Sequence, residues 1–254
     1  MNDVHAYLSR DRLKSISLLK YLQSHPEHTE SFHVRGEEGE AVLVMLQVAA
    51  SAYDRSTYPG ARLVCFIASD GPGLTRRLLG HVPRGAPLVF KLSRAADHAV
   101  VADYFALTRT TCFHSFRLPS GCGWQAERDL VRMAPSAAGW RLFEQRGYAA
   151  EWLRRLIDGG QAFVVEAGEA GETLSVCFAF ENSPGIWEVG GLATHPAARR
   201  RGLAARIVRT AFAELDARGY QGRYVVEESN GPSLALARAL GLTEFLRLTH
   251  YLSA

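Results

Sequence analysis

The segment Thr194–Ala205, THPAARRRGLAA, constrains this chain more than any other stretch, because an apolar strand runs into a donor-rich loop that becomes the first turn of an amphipathic helix. The first N–H groups of a helix have no intrahelical partner and sit at the positive end of its macrodipole, so they form a ready site for a pyrophosphate. Gly202 lets backbone approach a phosphate, and Ala204 is small enough to do nearly the same one turn further in. Arg199, Arg200 and Arg201 add charge-assisted contacts, while Leu203 and Ala205 complete the junction between loop and helix.

The formal net charge is only +3 over 254 residues, so the row Arg199–Arg201 beside Arg206 and Arg209 is a local positive field. Such a cluster suits a phosphate-bearing small molecule; a nucleic-acid duplex needs a broad basic face and is not expected as a partner. With 47% hydrophobic and 22% charged residues the composition is that of a packed globular protein. No apolar stretch reaches transmembrane length, and the start MNDVHAYLSRDRLKS lacks the apolar core and cleavage site of a secretory signal. A cytoplasmic location with no membrane partner is therefore expected. The four cysteines, Cys65, Cys112, Cys122 and Cys177, are scattered, and their spacing supports no metal site; they are expected to be reduced and mostly buried.

The length allows two domains. Residues 1–120 read as one α/β domain: a helix over Asn2–Leu22, a strand over Ser31–Arg35, buried strands over Ala41–Ala49 and Ala61–Ser69 joined by a loop, a short helix over Gly73–His81, a strand over Pro87–Leu92, a helix over Ala95–Phe105 and a closing strand over Thr108–Leu118. This alternation suits an open sheet carrying helices, and no motif in it points to chemistry. Residues 121–139, rich in small and polar residues, read as a linker or crossing segment. Residues 140–254 read as the second domain. It begins with a helix over Trp140–Ile157 stopped by Gly159 and Gly160, followed by three strands in a row, Gln161–Ala167, Leu174–Phe180 and Ile186–Thr194. A helix over Arg201–Arg218, a strand over Arg223–Glu228, a helix over Asn230–Leu240 and a last strand over Glu244–Leu252 complete it.

At Arg199, Gly202 and Ala204 the sequence resembles the GNAT superfamily of N-acetyltransferases, whose signature is Q/R-x-x-G-x-G/A. The resemblance also takes in Gly190 and Gly191 in the strand before the loop, the long helix after it, and a helix opening at Asn230 with Ser233 and Leu236 in an N-x-x-S-x-x-L pattern. It implies a mixed α/β (α+β) fold with a mostly antiparallel sheet flanked by helices, here in two such halves. The first half, lacking a phosphate loop, is similar in element order to the degenerate half of two-domain members, including relatives of glycine N-acyltransferase. The implied co-substrate is acetyl-CoA, with no metal, held by Leu192, Ala193, Thr194, Arg199, Arg200, Arg201, Gly202, Leu203, Ala204, Ala205 and Asn230.

Acyl transfer from a thioester to an amine needs a deprotonated amine, a polarised carbonyl and a proton for the departing thiolate. Glu188 is a candidate base, because it precedes Arg199 by eleven residues, a spacing like that of the strand glutamate serving as base in some family members. Glu227 or Glu228, at the end of the next strand, is the alternative, and strand alternation lets only one of them point inward. Each of the three also has a plain reading as a solvated charge. A break at Gly190 and Gly191 leaves a backbone N–H to polarise the carbonyl, with pantetheine adding like a strand along Leu192–Thr194; close packing of a neighbouring helix is the other explanation of the two glycines. Where many family members place a tyrosine that protonates the thiolate, this chain has Ala237, so no acid is assigned; Ser233, Tyr251 or water remains available. His195 and His250 read as bystanders, and the four tryptophans as core or interface residues.

The expected activity is transfer of an acetyl group from acetyl-CoA to a primary amine of a small molecule, amino acid or peptide, by a protein that is free to form a homodimer. A non-catalytic acyl-CoA binding or sensing module is the alternative, motivated by Ala237 and the unsettled base.

Overall fold

The computed structural model describes residues 3–169 and 171–253. They form two compact units: one comprises the chain up to Phe113 together with the segment from Leu246 onward, the other His114–Phe245.

The first unit opens with α1 (Asp3–Leu8) and α2 (Arg12–Ser24). The single helix expected over Asn2–Leu22 is two, because Asp11 leaves helical geometry and its carboxylate accepts from the Lys14 N–H at 3.2 Å, capping α2. Asn2 itself lies outside the described residues. Next come β1 (Thr29–Gly36), β2 (Gly39–Gln47), α3 (Ala52–Thr57), β3 (Leu63–Ser69), α4 (Pro72–Leu78), β4 (Leu88–Leu92) and α5 (Ala95–Ala102). The loop expected between the two buried strands thus contains α3, started by the Ser51 hydroxyl accepting from the Asp54 N–H at 3.2 Å. The boundary between units falls within β5 (Leu107–Arg117).

The second unit holds β6 (Val131–Arg132), α6 (Ala137–Glu144), α7 (Ala150–Asp158), β7 (Ala162–Glu169), β8 (Glu172–Ser183), β9 (Ile186–Thr194), α8 (Leu203–Ala217), β10 (Gln221–Glu227) and α9 (Gly231–Ala239). The last strand, β11 (Thr243–Ser253), begins here and ends in the first unit. The one helix expected over Trp140–Ile157 is two, α6 and α7, separated by a turn in which Gly147 takes φ +80°. Residues 121–139, expected as a linker, carry β6 and the start of α6.

Strand pairing follows the same sequence in each unit. β1–β2 and β2–β3 are antiparallel and β3–β4 parallel; β7–β8 and β8–β9 are antiparallel and β9–β10 parallel. Each parallel pair requires a crossover, and α4 and α8 provide it. β11 adds antiparallel to β4, and β6 antiparallel to β7. Both units are therefore mixed, mostly antiparallel sheets flanked by helices.

In the second unit strand alternation builds two cores. Phe163, Val165 and Val189 face one side with Leu203, Ile207, Val208 and Phe212 of α8, together with Leu234 and Ala237 of α9. Val164, Val176, Phe178 and Ala193 face the other side with Leu142 and Phe143 of α6 and Leu153 of α7. The β9–β10 ladder ends at Val189 and Tyr224, between these two layers.

The crossover helices begin differently. At α4 the Glu38 carboxylate accepts from the Gly73 N–H at 3.1 Å, and a Cβ on Gly71 would lie 2.0 Å from a Glu38 oxygen. At α8 no side chain caps the helix, and a Cβ on Gly202 would meet nothing within 4 Å. The chain's own carboxylate fills the first position, whereas the second is open.

Candidate active site

The site is built from the bend between β9 and α8 outward. Pairing of β8 with β9 slips by one residue, Val176 opposing Ala193 while Phe178 opposes Gly190, so β9 carries one extra residue. That residue lies at a bulge around Gly191, whose φ of +64° and approach to Phe178 exclude a side chain; a Cβ there would sit 2.1 Å from Phe178 Cε1. On the opposite edge of β9, the parallel ladder with β10 ends at Val189 and Tyr224. Beyond that rung the two strands part, leaving the β10 side of Gly190–Thr194 outside the ladder. Gly190 and Gly191 thus mark a true break in the strand, as their sequence suggested.

The loop that follows turns twice through left-handed geometry, at Arg200 with φ +62° and at Gly202 with φ +79°. A non-glycine residue in this region is uncommon and marks a shaped loop. These two turns delay the helix to Leu203, two residues later than the expected start at Arg201, and no side chain caps the N–H groups of its first turn. Gly202, Ala204 and Ala205 give this end a low profile. Arg199 donates back to the Thr194 carbonyl at 3.4 Å and Arg201 pairs with Glu169, whereas Arg200 has no ion-pair partner among the described residues. Leu203 is buried in the core, so it anchors the helix and its side chain does not face the opening. Ala193 and Thr194 remain tied to β8 opposite Val176 and Ser175, the Thr194 and Ser175 hydroxyls 2.7 Å apart.

The residues present fit the pyrophosphate of a CoA thioester: an uncapped helix start, an open glycine and a local excess of arginine. Beside Gly202 a cavity of about 280 Å³ is lined by Trp124, Glu127, Ala205, Arg206, Arg209 and Thr210, among others. Arg206 donates through Nε to both Glu127 oxygens, at 2.8 and 2.9 Å, which lowers the Glu127 carboxyl below its ordinary value. Arg209 lies over the Trp124 ring at 5.8 Å. With Glu127 neutralising Arg206, Arg209 is left as the net charge of the cavity. Trp124, read from the sequence as a core or interface residue, lines this cavity; the cavity itself carried no sequence signal, because the Trp124–Arg209 contact joins residues more than eighty positions apart.

The candidate bases separate clearly. Glu188 is in the strand rung opposite Arg223 and Phe180; its Oε2 accepts from Arg223 Nε at 2.9 Å, Arg223 Nη2 at 2.5 Å and Asn182 Nδ2 at 2.8 Å. It is an ion-paired carboxylate, not the solvated charge of the plain reading. Glu227 is exposed at the end of β10, and Glu228 lies in the turn after it, half-buried. Asn230 caps α9, its side chain accepting from the Ser233 N–H at 3.2 Å. His195 is exposed in the loop, while His250 is buried in the first unit against Tyr58, whose hydroxyl is 2.8 Å from Nδ1. Tyr251 also belongs to the first unit, in the rung opposite Phe90.

Two tyrosines that the sequence reading left unmarked lie near the splay, Tyr148 on the bulge at Gly191 and Tyr224 on the last rung of the β9–β10 ladder. The Tyr148 hydroxyl receives a hydrogen bond from the Gly191 backbone N–H; burial pushes this phenol up, and that amide and the nearby Arg146 pull the other way. The Tyr224 hydroxyl hydrogen-bonds the Ser233 side chain, and burial raises its phenol as well. The only sequence sign of either was an aromatic residue next to a glycine turn or inside a buried strand, which core packing explains equally well.

Residues 123–242 match the acetyltransferase (GNAT) family. The bulge, the splayed strands and the arginine loop all lie within that matched segment. Solved structures share the fold along nearly the whole chain. A GCN5-related N-acetyltransferase from Sphaerobacter thermophilus is 15% identical with a TM-score of 0.60, covering 94% of this chain and 84% of its own. An acetyltransferase of the GNAT family from Colwellia psychrerythraea is 12% identical with a TM-score of 0.61, covering 93% and 89%. A GCN5-related N-acetyltransferase from Kribbella flavida is 15% identical with a TM-score of 0.53, covering 95% and 94%. At these identities the likeness is one of fold. No curated protein matches in sequence. Among the described residues no helix is long and apolar enough to cross a membrane, and no group of three or more His, Cys, Asp or Glu could hold a metal ion.

Proposed function

We propose that this protein is an acyl-CoA-dependent N-acyltransferase that moves an acetyl group from acetyl-CoA to a primary amine of a small molecule, amino acid or peptide. The observation that carries the reading is the parting of β9 from β10 at Val189 and Tyr224, directly ahead of an uncapped helix start at Gly202. The backbone of Leu192–Thr194 offers a strand edge to pantetheine, the N–H groups of Leu203–Ala205 face the pyrophosphate with Arg199–Arg201 around it, and Arg209 and Trp124 take the nucleotide end. The Gly191 N–H polarises the thioester carbonyl once Tyr148 yields its place. Glu188 serves as base, directly or through water, while Arg223 and Asn182 hold it in position. The N-terminal unit is a degenerate half of the kind seen among relatives of glycine N-acyltransferase, a reading supported by its matching order of strand pairing.

A second reading, a non-catalytic acyl-CoA binding module, is favoured by one observation: Ala237 stands where many family members have an acidic hydroxyl. Calorimetric titration with acetyl-CoA tests both. Binding by the native protein, its loss in Arg200→Ala and Gly202→Glu, and acetylation of at least one member of an amine library support the transferase. Binding with no acetylation leaves the sensing module, and no binding overturns both.

A further inference from the structure

A thiolate leaving a thioester needs a proton, and Ala237 cannot give one. In α9, Ser233 stands one turn before Ala237, so the two share a helix face. Ala237 is fully buried in the same core layer as Tyr224, which is 3% exposed. Tyr224 enters that layer from β10, and its hydroxyl meets the Ser233 side chain. The same residue forms the last rung of the β9–β10 ladder, opposite Val189 and two positions ahead of the bulge at Gly191. A phenol from the strand thus arrives at the mouth of the splay beside the small residue on the helix.

We propose that Tyr224 is the proton donor to the departing thiolate, with Ser233 orienting its hydroxyl; this rests on the acyltransferase reading above. As the amine nitrogen bonds to the carbonyl carbon, the carbon–sulfur bond breaks and its electron pair stays on sulfur. The Tyr224 Oη–H bond transfers its proton to that sulfur, giving the thiol. The nitrogen gives up the proton it must lose on becoming an amide to Glu188, directly or through water, and Tyr224 regains its own from solvent. A phenol is protonated at neutral pH, the state a donor requires, and burial raises this one further. Tyr148 is less suited to the role because its hydroxyl is engaged by the Gly191 amide, and Tyr251 is part of the first unit.

The test compares affinities of the full chain for CoA and for desulfo-CoA, which lacks the sulfur, by calorimetry with native protein, Tyr224→Phe and Ser233→Ala. The native protein is expected to prefer CoA, and Tyr224→Phe to lose roughly tenfold in CoA affinity with desulfo-CoA binding unchanged. Ser233→Ala is expected to lose less, in the same direction. A merely structural role predicts equal losses for both ligands, and that result overturns the assignment, as does an unchanged ratio in Tyr224→Phe or the absence of any preference in the native protein. Should Tyr224→Phe fail to fold, Ser233→Ala decides alone: a reduced ratio supports the assignment and an unchanged one overturns it. Failure of native protein to bind either ligand overturns the acyltransferase reading itself.

Discussion

Arg223 grips Glu188 through two nitrogens on one carboxylate oxygen, at 2.9 and 2.5 Å, with the arginine side chain 10% and the glutamate 20% exposed. A pair so little hydrated is expensive to break on one side, because the remaining charge keeps its desolvation cost without its partner. Glu188→Gln is expected to lower stability by about 2–3 kcal/mol and to reduce turnover at neutral pH, with acetyl-CoA affinity unchanged. Denaturant melts, a pH–rate profile and calorimetry check the three parts; an unchanged pH–rate profile removes Glu188 as the base while leaving its structural role.

Two glycines with similar left-handed φ values should respond to substitution to very different degrees. Gly191→Ala places a Cβ 2.1 Å from Phe178 Cε1 and is expected to destabilise the fold by about 2–4 kcal/mol. Gly202→Ala meets nothing within 4 Å, so only left-handed strain remains, about 1 kcal/mol. The bulkier Gly202→Glu should keep the fold and abolish acetyl-CoA binding. Thermal melts beside calorimetry separate the two sites, and unaltered affinity in Gly202→Glu refutes the pyrophosphate loop.

Arg209→Ala should weaken acetyl-CoA binding about tenfold, the worth of one charge-assisted contact, while dephospho-CoA binding changes little. The guanidinium lies on Trp124 at the surface of α8, so the melting temperature should hold. Quenching of Trp124 fluorescence by acetyl-CoA, absent in Trp124→Phe, provides an independent reading.

In the first unit Lys91 donates to Asp54 at 2.7 Å, both side chains nearly inaccessible, with the rings of Tyr21, Tyr53 and Phe66 around the ammonium. Asp54→Asn leaves that ammonium without its counter-charge and should cost about 3–5 kcal/mol, measurable by urea unfolding. Replacing the pair together, as Lys91→Met with Asp54→Leu, should cost less than Asp54→Asn alone.

His250 supplies a pH signature. Burial, and then the charge of Lys91, lower its imidazole from 6.5 to about 3. The unfolded chain therefore binds a proton that the folded chain refuses, so stability is full above 6.5 and falls as pH drops from there toward 3. Unfolding midpoints taken across that window should decline less steeply for His250→Asn than for the native protein.

Much of the second unit was legible along the chain. β9 spans the expected Ile186–Thr194, because an apolar run between a Pro–Gly turn and a basic loop is a local signal. The helix break at Gly147 was hidden, since apolar spacing continues smoothly across Trp140–Ile157 and only φ +80° interrupts it. The α3 helix was hidden for a different reason: six residues are too few for periodicity to register, and a single Ser51 cap starts it.

The sequence by itself determined the loop proposed to hold a pyrophosphate, because its chemistry resides in consecutive residues: Arg199 to Ala205 carry their donors, their charge and their small side chains wherever the chain goes. Tertiary structure alone decided which groups meet across it. Strand register brought Arg223 to Glu188, the end of the β9–β10 ladder put Tyr224 opposite Val189 ahead of the bulge, the turn after α6 laid Tyr148 on Gly191, and the packing of residues 124–127 on α8 made the cavity around Arg209. Those contacts depend on distance in space between residues far apart in the chain, and no local pattern encodes that distance.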